Sequence, residues 1–383
     1  PILTALGLRL ATSIWLAIVW FVVDPYFPRT AKTLQETYNQ LPYHESLLAR
    51  MFGDVWLRWD AVHYMNLAWS GYGNAGPADT NYWPLYPSLV RLLNWATLGD
   101  TVFAGLLVST ISTLCAFVLF WELVKSLFSD ERLANWSVIA WAAFPTSFFL
   151  VAPFTDSLFA CLALAALLMM QKKRWLFAGI LTIFGSLARS QGVLLIAAFV
   201  LWLGIDWLRA KKFPPASAIL GLAISPIGII SLMVWRRIHG LPNIFSSFNI
   251  YTHAQFVDPL TGIFLAIKQL WQTPDLLMAS ELLSVLLFLG IQIWMLTRPP
   301  FQKEVPLMAY GLLNILFNLT KHITNATPLQ SSNRYVLNAI PAFIGIAWWL
   351  TSISPKRRNT AILVSISLGV ISISLYALWI FIG

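Results

Sequence analysis

Charged side chains are scarce in this chain. Asp, Glu, Lys and Arg make up 11% of its 383 residues, 58% of the residues are hydrophobic, and the mean hydropathy is +0.70. A soluble domain is nearer about 45–50% apolar. Here the apolar residues come in runs of about 18 or more, long enough for a helix to cross a bilayer. Because these runs do not alternate polar and apolar residues, they favour helices over strands. The sequence predicts an all-α polytopic membrane protein.

The sequence also has few cysteines and lacks several catalytic motifs, which limits the reactions it could catalyse. The two cysteines, Cys115 and Cys161, lie in apolar runs without disulfide or metal spacing, so we expect them to pack as small hydrophobic side chains. The sequence contains no glycine-rich phosphate loop, metal-ligand cluster or Ser-His-Asp order, which leaves ATP hydrolysis and zinc chemistry unsupported. No cofactor is predicted, and the sequence leaves open whether a divalent metal is required.

The chain is nevertheless basic, with 25 Lys and Arg against 16 Asp and Glu and a net charge of +9. Aromatic and basic residues do not interleave as on a soluble nucleic-acid-binding surface, so nucleic acid is not a predicted partner. In a membrane protein, such an excess reflects topology, because Lys and Arg concentrate in cytoplasmic loops.

Eleven apolar segments are candidate membrane spans. They cover residues 2–23, 102–127, 134–152, 155–170, 174–187, 190–208, 216–235, 276–297, 304–320, 335–352 and 360–382. Several are short or contain proline, which membrane helices tolerate where they line a cavity.

Orientation follows from the short connections between these spans. With the N-terminus in the cytoplasm, five short inner loops hold thirteen Lys and Arg against five nearby acids. The sequence therefore predicts one membrane domain over residues 1–383, with a long first extracytoplasmic loop at 24–100 and a second at 236–275. Within the first loop, residues 31–38 and 44–52 are expected to form short interfacial helices. Function is expected on the extracytoplasmic face.

The tripeptide Arg58-Trp59-Asp60 lies in the first of these loops. If a helix begins here, Asp60 and His63 share a face, and the Asp60 carboxylate could act as a general base on a hydroxyl group. The structural alternative is a helix cap, with Arg58 and Asp60 as an exposed ion pair of small energetic value.

Three further charged residues lie beside predicted spans. Asp156 begins a predicted helix and is interpreted first as a cap, with an arginine partner as the alternative. Arg189 and Arg334 each either extend to the interface or bind an anion. Two guanidinium groups at one interface suit a lipid phosphate, whose oxygens they match.

Aromatic residues are abundant, with 19 Trp, most of them expected in the interfacial belts. Trp59, Trp83 and Tyr86 could instead stack on a sugar. Gln191 and Tyr335, which lie beside the two arginines in sequence, are further candidates for sugar or acceptor contacts.

Five ordered blocks resemble the GPI mannosyltransferase II (PIG-V-like) family of the GT-C superfamily over roughly residues 50–350. The blocks are Arg58-Trp59-Asp60 with His63-Tyr64 and Gly71-Tyr72, Trp83-Pro84-Leu85-Tyr86-Pro87, Phe144 to Phe149 with Thr155 to Phe159, Ala188 to Gly192, and Asn333-Arg334-Tyr335.

The resemblance implies a GT-C-type bundle and an inverting glycosyltransferase that takes a sugar, typically mannose, from a polyprenyl-phosphate donor. It places the catalytic base at Asp60. From the residues themselves, we expect Arg58 and His63 to orient or tune Asp60, Asp156 to position a cavity-lining helix, and Arg189 and Arg334 to hold the donor phosphate. The chain is shorter than eukaryotic members and matches them poorly around residues 238–259. We therefore expect a bacterial or archaeal plasma-membrane relative, with a glycan, glycolipid or protein acceptor.

A transporter or flippase of a phosphorylated lipid is the rival prediction. It would share the spans, the prolines and the basic cluster. Transporters tend to keep ionisable residues near the bilayer midplane and to show inverted repeats. In this sequence the polar clusters gather at one predicted face, and no repeat is seen.

Overall fold

The computed structural model describes residues 1–23, 41, 44–73 and 77–380. Contacts group the chain into two compact units. The first takes its described residues from Pro1–Val118, Ala142–Leu158 and Ser354–Ile382, and the second from Leu119–Trp141 and Phe159–Ile353. The expected helix at 31–38 lies outside the described residues. The expectation of one membrane domain stays a prediction.

The described part of the chain is mostly helical. Its first half contains helices α1 (Ile2–Val23), α2 (Leu47–Phe52), α3 (Asp60–Ser70), α4 (Leu85–Leu93), α5 (Thr101–Phe128), α6 (Glu131–Ala142), α7 (Asp156–Gln171) and α8 (Trp175–Ala188). Its second half contains α9 (Val193–Ala210), α10 (Ala216–Ile224), α11 (Ile227–Ile238), α12 (Ile244–Thr252), α13 (Pro259–Gln272), α14 (Leu276–Leu296), α15 (Pro299–Gln302), α16 (Val305–Leu319), α17 (Ser332–Tyr335), α18 (Pro341–Ser352) and α19 (Pro355–Ala377).

Two short strands and several 3-10 turns complete these elements. Strands β1 (Ala254–Phe256) and β2 (Lys321–Ile323) pair antiparallel, with Gln255 opposite His322. The 3-10 turns are Asp54–Trp56, Pro77–Asn81, Asn94–Thr97, Ser147–Leu150, Ser190–Gly192 and Val336–Asn338.

Each expected span overlaps a helix, but the helix lengths differ from those expected. Within the described residues, six stretches are long and apolar enough to cross a membrane: 2–22, 101–128, 190–210, 216–238, 276–296 and 355–377. A seventh is obtained if the bent pair Ser332–Asn338 and Pro341–Ser352 counts as one span. Helices α7, α8 and α16 are apolar but shorter. This supports a multi-pass membrane protein, while the expected count of eleven spans is not reached by full-length helices.

The segment predicted as one span at 134–152 is the clearest departure. Helix α6 ends at Ala142, and a 3-10 turn follows at Ser147–Leu150. Pro145 lies between them. Proline has no backbone N–H to donate and also disfavours helical geometry in the residue before it, so the helix cannot continue through this position. A similar break at Pro341 bends the 335–352 segment by 86°.

In the first unit, the N- and C-terminal helices α1 and α19 pack together. The Trp15 indole donates to Ser374 Oγ at 2.9 Å. The Tyr376 hydroxyl donates to the Trp56 carbonyl at 2.8 Å. The end of α19 therefore supports the segment that leads into α3.

In the second unit, α8 and α10 approach closely because glycine faces glycine. A Cβ added to Gly179 would lie 2.2 Å from the Gly221 carbonyl oxygen. Small residues let membrane helices meet backbone to backbone in this way. Exposed ion pairs also join elements of this unit, including Lys172, which follows α7, with Glu122 of α5 at 3.0 Å.

The second predicted loop, 236–275, is not a simple polar connection. Its helix α13 exposes Leu260, Phe264, Ile267 and Trp271 along one stripe, while Gly262 on another face meets the Leu319 carbonyl. Spacings of four, three and four residues place these side chains on one face, as in helices that lie at a membrane interface.

Candidate functional site

The structure begins α3 at Asp60, so Asp60 and His63 lie three residues apart on one helix. The residue before it, Trp59, has φ 54° and ψ −125°. A positive φ is costly for a bulky side chain, and such strain is found most often at functional sites. The Trp59 ring packs edge-on against Trp379 at 5.7 Å, so the tertiary packing holds the strained residue in place.

Asp60 belongs to a group of four side chains in the first unit, here called the Asp60 cluster: Asp60, His63, Asp79 and Tyr82. The Tyr82 hydroxyl donates to Asp60 Oδ1 at 3.2 Å. The His63 ring stacks on Tyr82 at 4.7 Å and its Nδ1 lies 2.5 Å from Asp79 Oδ1. The cluster therefore links both carboxylates through one phenol and one imidazole.

The electrostatics keep Tyr82 as a donor. Burial of the hydroxyl, followed by the negative charge of Asp60, raises the pKa of Tyr82 well above its usual value. Asp60 and the His63 side chain are partly exposed, whereas Asp79 is buried. A hydroxyl substrate could therefore reach Asp60, while Asp79 sits behind the histidine.

Arg58 has a different environment from the one expected of an exposed ion pair. Its side chain is fully buried. The guanidinium donates to the carbonyls of Asp54, Leu57 and Ala377 at 3.0–3.2 Å and stacks over Trp379 at 4.6 Å. These contacts fasten the start of α3 to the end of α19.

Asp156 begins α7 and is fully buried in the same unit as Asp60. Its neighbour Thr155 accepts a long hydrogen bond of 3.5 Å from Tyr64, one turn after Asp60 on α3. Asp156 is thus the first residue of the helix, where a carboxylate interacts favourably with the helix dipole.

Trp83 and Tyr86 are both buried. The Tyr86 hydroxyl lies 2.9 Å from the Gly105 carbonyl and 2.8 Å from Ser109 Oγ. This packing between α4 and α5 accounts for Tyr86 without a ligand.

In the second unit, the two expected arginines meet at Tyr335. The guanidinium carbons of Arg189 and Arg334 lie 5.1 and 5.8 Å from the centre of its ring, and Lys321 Nζ lies 5.7 Å from it. We call Arg189, Lys321, Arg334 and Tyr335 the cation cluster. Both arginines are buried. Three positive charges around one ring form a local field suited to an anion.

Gln191 follows Arg189 by two residues and lies in a buried amide chain. Its Nε2 donates to Asn318 Oδ1 at 3.0 Å, and its Oε1 lies 3.5 Å from Asn338 Nδ2. This chain ties the Ser190–Gly192 turn to α16 and to the turn at Val336–Asn338, so it fixes the backbone beside the cation cluster.

Sequence reasoning missed Asp79, Tyr82 and Lys321 as site residues. Tyr82 lies directly before the Trp83-to-Pro87 block, and Lys321 begins the polar segment between two predicted spans. A tyrosine or a lysine at these positions does not indicate by itself which side chain it will contact in the fold. Asp79 gave no signal, because nothing local connects it to His63, sixteen residues earlier.

Residues 84–235 match the family described as dolichyl-phosphate-mannose-protein mannosyltransferase. The chain is 27% identical over 159 residues to GPI mannosyltransferase 2 of Schizosaccharomyces pombe, covering 40% of this chain and 33% of that protein. It is 28% identical over 137 residues to the Yarrowia lipolytica protein of the same name, covering 36% of this chain and 37% of that protein. The chain thus matches about a third of the length of these curated relatives.

Among solved structures, ArnT from Cupriavidus metallidurans bound to undecaprenyl phosphate resembles this chain with a TM-score of 0.52. The sequences are 12% identical, and the match covers 86% of this chain and 75% of ArnT. At 12% sequence identity, this similarity shows a shared fold and does not by itself show a shared function.

Proposed function

We propose that this chain is an inverting membrane glycosyltransferase of the GT-C type, because its fold resembles that of ArnT and its sequence is similar to the GPI mannosyltransferase 2 proteins. It moves a sugar, mannose in the first instance, from a polyprenyl phosphate to a hydroxyl of an acceptor. The observation that carries this proposal is the Asp60 cluster, in which a partly exposed carboxylate at a strained helix start accepts a phenol hydrogen bond.

In the proposed reaction, Asp60 takes the proton of the acceptor hydroxyl. The acceptor oxygen attacks the anomeric carbon as the bond from that carbon to the phosphate oxygen breaks, which inverts the anomeric configuration. The phosphate leaves with the bonding electrons. General-base catalysis of this kind contributes roughly 10²–10⁴-fold.

The other residues of the Asp60 cluster position the base. Tyr82 fixes the rotamer of Asp60 through its hydrogen bond, while His63 holds the Tyr82 ring by stacking and is itself held by Asp79. We assign Arg58 and Asp156 to supporting the helix starts that present these groups.

The cation cluster is assigned to the donor phosphate. Arg189 and Arg334 offer planar guanidinium groups, and Lys321 adds a third positive charge. Charge-assisted hydrogen bonds to phosphate oxygens strengthen as negative charge develops on the leaving group. The bound undecaprenyl phosphate of ArnT supports a polyprenyl phosphate as the leaving group. Trp59, Gln191 and Tyr335 remain candidates for sugar or acceptor contacts.

The test uses the purified protein in lipid nanodiscs, incubated with polyprenyl-phosphate-mannose and a panel of acceptors, with release of polyprenyl phosphate measured. The wild type should release it. Asp60→Asn should lose roughly 10²–10⁴-fold in rate, the range of general-base catalysis. Tyr82→Phe should lose roughly 10-fold, because one hydrogen bond to a charged group disappears.

Asp258→Asn is the matched control. Asp258 is an exposed carboxylate that caps α13 through the N–H groups of Leu260 and Thr261, and asparagine caps equally well. Its rate should match the wild type. Full activity in Asp60→Asn would contradict the assignment of the base. No turnover with any polyprenyl-phosphate sugar would instead favour a lipid transporter.

A further inference from the structure

Glu281 is a fully buried acid inside α14, a helix long and apolar enough to span a membrane. Ionisable side chains are costly at such positions and persist where they are partnered and used. The carboxylate has no role in the reaction proposed above, so its contacts need a separate explanation.

Both carboxylate oxygens accept hydrogen bonds from the segment that precedes Arg334. Glu281 Oε1 accepts from the Ser331 backbone N–H at 2.7 Å, and Oε2 accepts from the Thr327 hydroxyl at 2.6 Å. Glu281 thus closes the 327–331 turn from one side.

Two serines on the same helix extend this connection. The Ser284 hydroxyl donates to Asn333 Oδ1 at 2.6 Å, and Asn333 Nδ2 donates to Ser280 Oγ at 2.8 Å. Residues three and four apart on a helix share a face. One face of α14 therefore holds the chain from Thr327 to Asn333, the residue directly before Arg334.

The backbone conformation of Ser331 indicates what the hydrogen bond from Glu281 stabilises. Ser331 has φ 72° and ψ 6°, a left-handed conformation that residues with a Cβ adopt at a cost. It directly precedes α17, which carries Arg334 and Tyr335. The hydrogen bond from its N–H to the Glu281 carboxyl oxygen offsets that cost.

We propose that Glu281 is a positioning residue: it holds Ser331 in the left-handed conformation, so that α17 places Arg334 and Tyr335 beside Arg189 and Lys321 in the cation cluster. That the cation cluster binds an anionic ligand rests on the proposed function. The hydrogen bonds that link Glu281 to the start of α17 do not depend on it. Loss of the carboxylate then loosens the 327–333 segment and weakens binding of a lipid phosphate.

The first measurement needs no activity. Leu329 is 1% exposed within the turn that Glu281 closes. A thiol introduced by Leu329→Cys should react slowly with a maleimide in the wild-type background and faster when Glu281→Gln is added, with the modified peptide quantified by mass spectrometry. Glu122→Gln, in an exposed ion pair with Lys172 of the same unit, is the matched control and should leave the reaction rate unchanged.

The second measurement is the Kd of farnesyl phosphate, a short polyprenyl phosphate. Glu281→Gln keeps the side-chain volume, but its single amide oxygen cannot accept from both Ser331 and Thr327. It should raise this Kd roughly 10-fold, the effect of losing one hydrogen bond. Adding Ser331→Gly should recover much of the affinity, because glycine adopts the left-handed conformation without strain. A general packing defect would not be rescued by a glycine.

Unchanged thiol labelling in Glu281→Gln would overturn the proposal. Faster labelling with an unchanged Kd, or no rescue by Ser331→Gly, would also overturn it, because the link to Arg334 would be lost. Thermal unfolding of each variant monitors folding. If the wild type binds farnesyl phosphate and the variants behave as described but no sugar is transferred, the positioning role stands and the glycosyltransferase assignment fails.

Discussion

Single residues in this protein are held by partners that lie far away in sequence. Arg58 donates to the carbonyl of Ala377, and Trp59 keeps a positive φ while its ring packs against Trp379. A strained residue persists only where its surroundings determine it more strongly than its own preference. The candidate base Asp60 follows directly after these two anchored residues.

His44 shows the same principle with charge. Its Nδ1 lies 2.5 Å from Asp54 and its Nε2 lies 2.8 Å from Asp100. Asp100 also accepts from the backbone N–H groups of Val102 and Phe103 at the start of α5. The hydrogen bonds to Asp100 and then to Asp54, against the opposing effect of burial, raise the pKa of His44 from 6.5 to about 10.

This shift predicts how stability depends on pH. A raised pKa in the folded state means that the protonated imidazole stabilises the fold fully below pH 6.5, and that this contribution is lost as pH rises from 6.5 to about 10. In His44→Gln the same decline should be smaller. Thermal unfolding of the purified protein between pH 6 and 10 measures the difference, with His239→Gln as an exposed control. Parallel profiles for wild type and His44→Gln would show that the two carboxylates do not retain the proton.

At the scale of elements, close packing depends on where side chains are missing. Helices α8 and α10 meet at Gly179 and Gly221, and a Cβ on Gly221 would lie 2.4 Å from the Trp175 carbonyl oxygen. At Gly204 in α9, by contrast, a Cβ would meet no neighbouring heavy atom within 4 Å among the described residues. The same residue type therefore serves packing in one helix and not in the next.

We expect Gly179→Ala to push α8 and α10 apart and to cost roughly 1–3 kcal/mol, as overpacking typically does. Gly204→Ala should be neutral or stabilise by up to about 1 kcal/mol, since alanine is the better helix former. Thermal unfolding in detergent compares the two. Equal changes in thermal stability for the two substitutions would show that α8 and α10 can move apart without loss of stability.

For the whole molecule, the fold resembles that of ArnT over 86% of the chain, while the described residues form two compact units. The first unit gathers chain from both termini and from residues 142–158, so the Asp60 cluster depends on the last helix for its support. The second unit contains the cation cluster and Glu281.

The basic loops predict which side of the membrane each connection faces. An impermeant thiol reagent on intact cells should label Gln272→Cys, in the second predicted outer loop. It should label Lys356→Cys, in a basic inner loop, only after permeabilisation. Both positions are exposed, and the wild type reports the background from Cys115 and Cys161. The reverse pattern would place the proposed active face in the cytoplasm.

The sequence by itself determined the helical membrane class, the positions of the apolar helices and the candidate residues Asp60, Arg189 and Arg334. Hydropathy is a local property that sums over neighbouring residues, which is why each expected span overlaps a helix even where that helix is short or broken. The break at Pro145 was also visible as a proline, although the sequence did not indicate how far it would shorten α6.

Only the tertiary structure decided which side chains meet. Tyr82 reaches Asp60 across 22 residues, Lys321 and Arg189 approach the same ring of Tyr335, and Glu281 accepts from Ser331 across 50 residues. Such pairs form because packing brings distant segments together and buried polar groups must then find partners. No local pattern encodes that choice, since the energy of each contact depends on the arrangement of the surrounding helices.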